Sequence, residues 1–393
     1  MSAMKGYLRL YFLILLAGVL AVLGFNLVVD PDHIVRAVEI EGFNREKPLV
    51  GWRGLSRVKS LDLETGDYDT IIIGNSRVFW GLDPQHPSLR DRSVYNAGIR
   101  SAGSYQVYKI FDFARKHQNL ETVVLGLDIT SFFPHRPRIL PEQDFGDSKF
   151  VSDRPLPIAN FSSFLARTTL GNSVKTVRFN QRGLVADRYT EQGFRNPLYP
   201  KIDRLENFKA ISRKMLSNNY PAGVAYSDKT LLYFHKIVQQ CKKDGIELKV
   251  FIEPNHAISL EWLLLTKKWR RVERWKTDIV NIVAEFYGDE AKVWDFTGYN
   301  SINTEPLPTV AAKSRQSASP IDPADPAKPE MWGYLDPLHY KKEVGDLVLE
   351  KLFSEEGEAL SPEDFGVRIS PDQIHNHLMQ IRAGRDNYQL PKL

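Results

Sequence analysis

The longest uninterrupted apolar run in the chain covers residues 11–29, YFLILLAGVLAVLGFNLVV, and contains no charged side chain. Wound as a helix at about 1.5 Å per residue, it would cross roughly 30 Å of hydrocarbon. Lys5 and Arg9 precede it, and Asp30, Asp32 and His33 follow it. That bias predicts residues 1–10 in the cytoplasm, a transmembrane anchor over 11–29, and everything from residue 30 outside. Val19-Leu20-Ala21 offers a cleavage site for a secretory signal, but the apolar run continues well past it, which favours an uncleaved single-pass anchor.

Beyond residue 30 the hydrophobic pattern changes character. Five short runs rich in Val, Ile and aromatic residues recur between helical stretches: 69–74 (DTIIIG), 93–96 (SVYN), 122–127 (TVVLGL), 248–253 (LKVFIE) and 292–296 (KVWDF). Continuous apolar runs such as the first and third suit strands buried on both faces, so the alternation predicts an α/β domain with a parallel five-stranded sheet. Between the runs, Val107, Ile110, Phe111 and Ala114 repeat at helical spacing over residues 104–117. Ser227 reads as the N-cap of a second helix carrying Leu231, Phe234, Ile237, Val238 and Cys241 and ending at Gly245. A long helical stretch over 259–287 carries Trp262, Trp269 and Trp275, which read as packing residues rather than a sugar platform. A further helix is expected from Ser370 as N-cap and Pro371 at its first position to about Arg382.

Two segments interrupt the alternation. Residues 134–204 hold many Pro, Arg, Asp and Asn and few periodic positions, the mark of a large insertion after strand three and a candidate cap over the site. Residues 304–329 are rich in Pro, Ala and Ser and read as a mobile loop. The division expected is therefore a lead-in over 30–67, an α/β domain over 68–353 and a C-terminal extension over 354–393.

Composition narrows the classes. With 393 residues, 42% hydrophobic and 25% charged, the chain is neither disordered, collagen-like nor a multi-spanning membrane protein. Its 52 basic against 48 acidic side chains leave +4, too little for a nucleic-acid footprint. Cys241 is the only cysteine, so no internal disulfide exists, its apolar neighbours predict a buried thiol, and export to a bacterial periplasm is compatible with it. There is no His-x-x-x-His or Cys pair, and His375 and His377 sit in the tail, so no metal is expected. No cofactor is implied, and no phosphate-cradling loop supports phosphotransfer.

Ligands of a parallel α/β sheet sit beyond the carboxyl ends of its strands. The strands exit into Gly74-Asn75-Ser76-Arg77, Asn96-Ala97-Gly98, Asp128 and Glu253-Pro254-Asn255-His256, and a Tyr334-Leu335-Asp336-Pro337-Leu338-His339-Tyr340 stretch follows strand five at the apparent start of a last helix. Acyl transfer needs a hydroxyl nucleophile, a base, a group that orients the base, and donors for the oxyanion. Ser76 on a tight turn, His339, and Asp336 three residues before it supply these types, one helical turn sufficing to bring the last two together. Blander roles compete: an N-cap for Ser76, a turn residue for Asn96, an ion pair for Arg77, a cap on Thr130 and Ser131 for Asp128, and a backbone-satisfied side chain for His256. A second Gly171-Asn172-Ser173 follows no apolar strand and reads as a helix start or turn.

In the order Gly-x-Ser, Asn-x-Gly and Asp-x-x-His, over residues 69–353, the chain resembles the SGNH (GDSL-like) hydrolase superfamily. With the anchor, the IIIGNSRV…YNAGI…VVLGLD…DPLHY pattern resembles exported SGNH-like proteins linked to O-acylation of cell-envelope polysaccharides. The resemblance implies a three-layer flavodoxin-like fold, Ser76 as nucleophile, Gly98 as an oxyanion donor through its N–H, His339 as base and Asp336 as its orienter. Where the family has Gly-x-Asn-Asp after strand three, this chain has Gly126-Leu127-Asp128, so the side-chain oxyanion donor is missing and Asn75 or Asn96 would have to replace it. Arg77, Asp128 and His256 are candidate substrate contacts. The expectation is a serine esterase or O-acyltransferase held at the bacterial inner membrane and facing the periplasm. It would act on an acyl group, acetyl by preference, of a cell-envelope glycan, with a polytopic membrane acyltransferase as donor partner. The competing expectation is a non-catalytic glycan-binding or assembly module that keeps the fold.

Overall fold

The computed structural model describes residues 2–50, 54–133, 141–152, 164–184, 186, 190–195, 204–216, 227–308, 331–355 and 360–391. In chain order its elements are α1 (Ser2–Val29), α2 (Leu55–Thr65), β1 (Thr70–Ile73), α3 (Ser76–Gly81), β2 (Val94–Asn96), α4 (Ser104–His117), β3 (Thr122–Leu127), α5 (Pro141–Gly146), α6 (Arg167–Gln181), α7 (Arg204–Leu216), α8 (Asp228–Asp244), β4 (Glu247–Ile252), α9 (Ile258–Leu265), α10 (Trp269–Tyr287), β5 (Val293–Asp295), α11 (Lys342–Phe353), β6 (Val367–Ile369) and α12 (Ile374–Asp386). They fall into two compact units. Met1–Thr65 joins Arg138–Tyr189 in one, and Gly66–Pro137 joins Thr190–Leu393 in the other.

In the first unit α1 is a helix long and apolar enough to span a membrane, with mean hydropathy 2.7 over an 18-residue stretch of which only 11% is buried. Either an anchor or a signal sequence fits that description. Its C-terminal carbonyls, which the helix itself leaves unpaired, are met by side chains: the Asn44 amide donates to Val28 O at 2.6 Å and Lys47 Nζ to Val29 O at 2.8 Å. The lysine cation also suits the negative end of the helix dipole. Asp30 then accepts the backbone N–H groups of Ile34, Val35 and Arg36 at 2.9, 2.9 and 2.8 Å. The expected lead-in is thus not a plain linker, since it contains α2, whose Arg57 pairs with Asp144 of α5 at 3.1 Å.

The segment expected as one insertion divides. Its described residues up to 186 belong with the N-terminal unit, while those from 190 onward belong with the sheet. The Gly171-Asn172-Ser173 repeat lies inside α6, and Ser173 Oγ donates to the side-chain Oδ1 of Asn26 in α1 at 2.7 Å. Most of the expected mobile loop, residues 309–329, lies outside the described residues.

In the second unit the strand order is β2-β1-β3-β4-β5-β6. The five anticipated strands pair in parallel, but β6 joins β5 antiparallel, with Trp294 opposite Arg368, so the sheet is mixed and six-stranded rather than a parallel sheet of five. Three residues of β6 are too few to show an alternating pattern. Strands β1 and β3 are buried at every position, as their unbroken apolar runs require.

Successive side chains leave a strand on opposite faces. Ile72, Val124 and Phe251 share one core cluster with Val78 of α3, Phe208 of α7, Trp262 of α9 and Val344, Val348 and Leu349 of α11. On the other face Leu125 and Leu127 meet Val107 of α4 and Phe234 and Ile237 of α8, and α8 packs on α4 and α10. Helices α4 and α8 run as the periodicity predicts, α8 with Gly245 at φ 71° as its left-handed cap. The long helix of 259–287 is instead broken at Thr266–Lys268, where Lys267 adopts φ 57°. The last helix starts at Ile374, because residues 371–373 form a turn on the Ser370 carbonyl.

Candidate functional site

The site is built where β1 turns into α3. A Cβ on Gly74 would lie 2.5 Å from the Val78 side chain and 3.1 Å from the Gly126 carbonyl oxygen, so only glycine lets the chain turn this close to the sheet. Asn75, not Ser76, is the N-cap: its side-chain oxygen accepts Arg77 N–H at 2.9 Å. Ser76 is therefore the first residue of α3, where the helix leaves its own N–H without an intrahelical acceptor. Its hydroxyl turns to His339, with Oγ 2.9 Å from Nε2.

The second half comes from a hairpin rather than from the start of the last helix. Tyr334 and Tyr340 form an antiparallel bridge, closed by Leu335 N–H to His339 O at 2.9 Å and Lys341 N–H to Gly333 O at 2.8 Å. Inside it Asp336 Oδ1 accepts the N–H groups of Leu338 and His339 at 2.8 and 3.0 Å, and Oδ2 lies 2.7 Å from His339 Nδ1. That carboxylate makes Nδ1 the protonated nitrogen and leaves Nε2 to accept from Ser76. Burial works against the Asp336 charge, but His339 and the two backbone donors outweigh it and hold its pKa below the usual carboxylate value. The His339 side chain keeps 27% of its surface exposed against 11% for Asp336, and Ser76 is half-buried. Ser76 and His339 are reachable while Asp336 is covered.

The other expected site residues are placed differently. The Gly98 N–H donates to Asn96 Oδ1 at 2.9 Å, and the Asn96 amide donates to Val78 O and Leu82 O at 2.9 and 2.8 Å. Asn96 is thus a bracket tying the end of β2 to α3, not an oxyanion donor, and Gly98 spends its N–H on that bracket. The Asn75 amide is 3.3 Å from Ser131 Oγ, so Asn75 is also committed to the fold. His256 is fully buried between Phe208 and Tyr334, with Nε2 2.8 Å from Glu305 O and Nδ1 accepting Ile258 N–H at 3.3 Å. Burial pulls its pKa down to about 4, so it is a neutral structural histidine and not a substrate contact. Arg77 and Asp128 are buried against one another at 3.1 Å, and Asp128 caps Thr130. They form an internal ion pair beneath the turn rather than a surface for substrate.

Two carboxyl groups escaped the sequence reading. Glu253 at the end of β4 is wholly buried, with Oε2 3.4 Å from the Tyr340 hydroxyl and Oε1 without a hydrogen-bond partner among the described residues. Burial pushes its pKa up to about 8, with Arg77 pulling down and Asp128 pushing up, so at pH 7 it is a neutral acid. Glu305 receives the N–H groups of Trp332 and Gly333 and so tethers the entry to the hairpin that carries His339. Burial raises its pKa to about 6. Nothing local in the sequence separates Glu253 from the more conspicuous His256 three residues later, because both are fully buried and only their partners differ: His256 bonds Glu305 O, while Glu253 Oε1 meets none among the described residues.

No cluster of His, Cys, Asp and Glu able to hold a metal ion occurs among the described residues. No protein-family model matches the chain, and no curated protein matches it. What the residues can do follows from their geometry: a hydroxyl, an imidazole and a carboxylate joined by hydrogen bonds of 2.9 and 2.7 Å where β1 turns into α3.

Proposed function

We propose that the protein is a membrane-anchored serine esterase or O-acyltransferase of SGNH type, working through an acyl-Ser76 intermediate. The observation that carries this reading is the unbroken Ser76–His339–Asp336 relay, in which each distance lies within reach for proton transfer. The parallel β1–β5 core, with its β2-β1-β3-β4-β5 order, supports a flavodoxin-like architecture of that type. In the reaction Ser76 Oγ attacks the acyl carbonyl while its proton passes to His339 Nε2. Asp336 stabilises the imidazolium, and the Ser76 N–H faces the developing oxyanion. His339 then returns the proton to the leaving alcohol, and the acyl group is held as an ester on Ser76. Attack by water completes hydrolysis, and attack by a glycan hydroxyl completes transfer.

Helix α1 supports retention at a membrane. Together with Lys5 and Arg9 before it, it favours a bacterial inner-membrane protein whose α/β domain faces the periplasm. There an acetyl group on a cell-envelope glycan is the substrate of choice, and a polytopic membrane acyltransferase would supply the acyl donor. The experiment is turnover of p-nitrophenyl acetate by the full chain in detergent, with Ser76→Ala and His339→Ala alongside. Esterase activity lost in both variants is the expected result. Equal turnover by the variants and the wild type would remove the catalytic assignment.

One observation favours a second reading. With Gly98 N–H and the Asn96 side chain bonded to each other and the Asn75 amide turned to Ser131, the Ser76 N–H is the one candidate donor left, and a missing oxyanion donor typically costs about 3 kcal/mol of transition-state stabilisation. A glycan-binding or assembly module that keeps the fold would accommodate this. Complementation of function by Ser76→Ala would support it.

A further inference from the structure

Helix α6 divides into three lengthwise stripes. Thr169, Ser173, Thr176 and Asn180 form its buried face. Ser173 bonds Asn26 of α1, and Asn180 accepts Glu46 N–H at 2.8 Å and donates to Glu46 O at 2.9 Å. Leu170, Val174 and Val177 run along one flank, half-buried. Arg167, Lys175, Arg178 and, at the helix end, Arg182 lie on the side opposite the buried face and are exposed, the last three at the three- and four-residue spacings that align side chains on a helix and Arg167 about two turns before Lys175. The helix contains no acidic residue. None of the four cations is ion-paired among the described residues.

The position of α6 gives these stripes a common meaning. Its partner on α1 is Asn26, whose amide also donates to Phe164 O at 2.6 Å. Residues 10–25 before it, about 24 Å of helix at 1.5 Å per residue, are apolar, and most of them are exposed. Asn26 therefore lies within about one turn of Val29, the end of the apolar span, close to the depth at which a spanning α1 leaves the hydrocarbon. A helix fixed at that depth, with an apolar flank and a cationic stripe, has the pattern of an interfacial helix.

We infer that α6 is an interfacial helix whose Arg167, Lys175, Arg178 and Arg182 bind anionic phospholipid headgroups in the leaflet where α1 emerges, with Leu170, Val174 and Val177 turned toward the acyl boundary. The inference rests on α1 spanning the membrane but not on the chemistry at Ser76. Its consequence is an N-terminal unit held against the bilayer surface by two elements rather than swinging on one.

The test uses the full chain, with Val174→Cys in a Cys241→Ala background carrying an environment-sensitive fluorophore. It is reconstituted in nanodiscs of phosphatidylcholine alone or with added phosphatidylglycerol. The expected result is a blue-shifted emission that is larger with phosphatidylglycerol and shrinks at high salt. Arg167→Gln, Lys175→Gln, Arg178→Gln and Arg182→Gln together should remove most of the lipid-dependent part. An emission identical in the two lipids, or unchanged by the four substitutions, would overturn the inference, as would a label reached only by a water-soluble quencher, the sign of a surface facing solvent or a protein. A chain that fails to enter the discs at all would overturn the spanning reading together with this one. Incorporation without a lipid response would overturn this one alone.

Discussion

At the scale of single residues the site separates into groups that can meet a substrate and groups that hold them in place. Ser76 and His339 are reachable, and Asp336 is covered. On that basis Ser76→Ala and His339→Ala should each lower acyl-ester turnover by three or more orders of magnitude. Asp336→Asn should lower it by about 10⁴ through the wrong imidazole tautomer, with steady-state kinetics as the check. Glu253 makes a different prediction. Its folded pKa of about 8 stands above the ordinary value of 4.5, so between those pH values the folded chain holds a proton that the unfolded chain has released. Stability from this group is therefore full below about pH 4.5 and is lost as pH rises toward 8, by at most about 1.4 kcal/mol per pH unit. Glu253→Gln should flatten that fall, which thermal unfolding of both proteins from pH 5 to pH 8 would measure. The meeting of Ser76, His339 and Asp336 was legible because Gly-x-Ser falls at a strand exit and the i, i+3 spacing of Asp336 and His339 lets acid and imidazole meet. The misassigned residues were illegible for one shared reason: Asn96, Gly98 and His256 sit at the right strand ends, yet their polar atoms are already spent on neighbouring backbone and side chains.

At the scale of elements the Ser76–His339 contact depends on holding α3 against α11, the helix that follows the hairpin carrying His339. Their backbones nearly touch, since a Cβ on Gly345 would lie 1.7 Å from the Gly81 carbonyl oxygen. Backbone cannot yield as a flexible side chain would, so Gly345→Ala should destabilise the chain by about 2–3 kcal/mol or more. It should also lower turnover by parting Ser76 from His339, readable as a lower melting temperature together with slower turnover in the surviving folded fraction. The periodic stretches that bury one face, α4 and α8, were readable to the residue because capping and apolar spacing agree there. The break between α9 and α10 was not, because Lys267 takes a left-handed conformation that no glycine or proline announces. The hairpin carrying Asp336 and His339 was read as a helix start for a related reason. An i, i+3 pair satisfies a helical turn and a tight hairpin equally, and only the Tyr334–Tyr340 bridge decides between them.

At the scale of the whole molecule the chain is two units, and the composition of residues 134–204 could not reveal that their first part belongs with the N-terminus. Part of what binds it there is polar: Asn26 to Phe164 and Ser173, and Asn180 to Glu46. Such buried pairings leave no periodic trace in a sequence. Asn26→Leu should leave the Ser173 hydroxyl and the Phe164 carbonyl unpaired, at a cost of about 1–3 kcal/mol for each buried group. Hydrogen exchange in detergent should then show residues 164–184 exchanging faster while β1 and β3 keep their protection, since every partner named for Asn26 lies in its own unit.

The central claim is that Ser76 is an activated nucleophile, and an active-site-directed fluorophosphonate tests this directly whether the natural reaction is hydrolysis or transfer. Treated as the full chain in detergent and mapped by mass spectrometry, the protein should carry one phosphonyl adduct on Ser76, and His339→Ala should not form it. A chain that stays unmodified at Ser76, or is modified there equally without His339, would contradict the account.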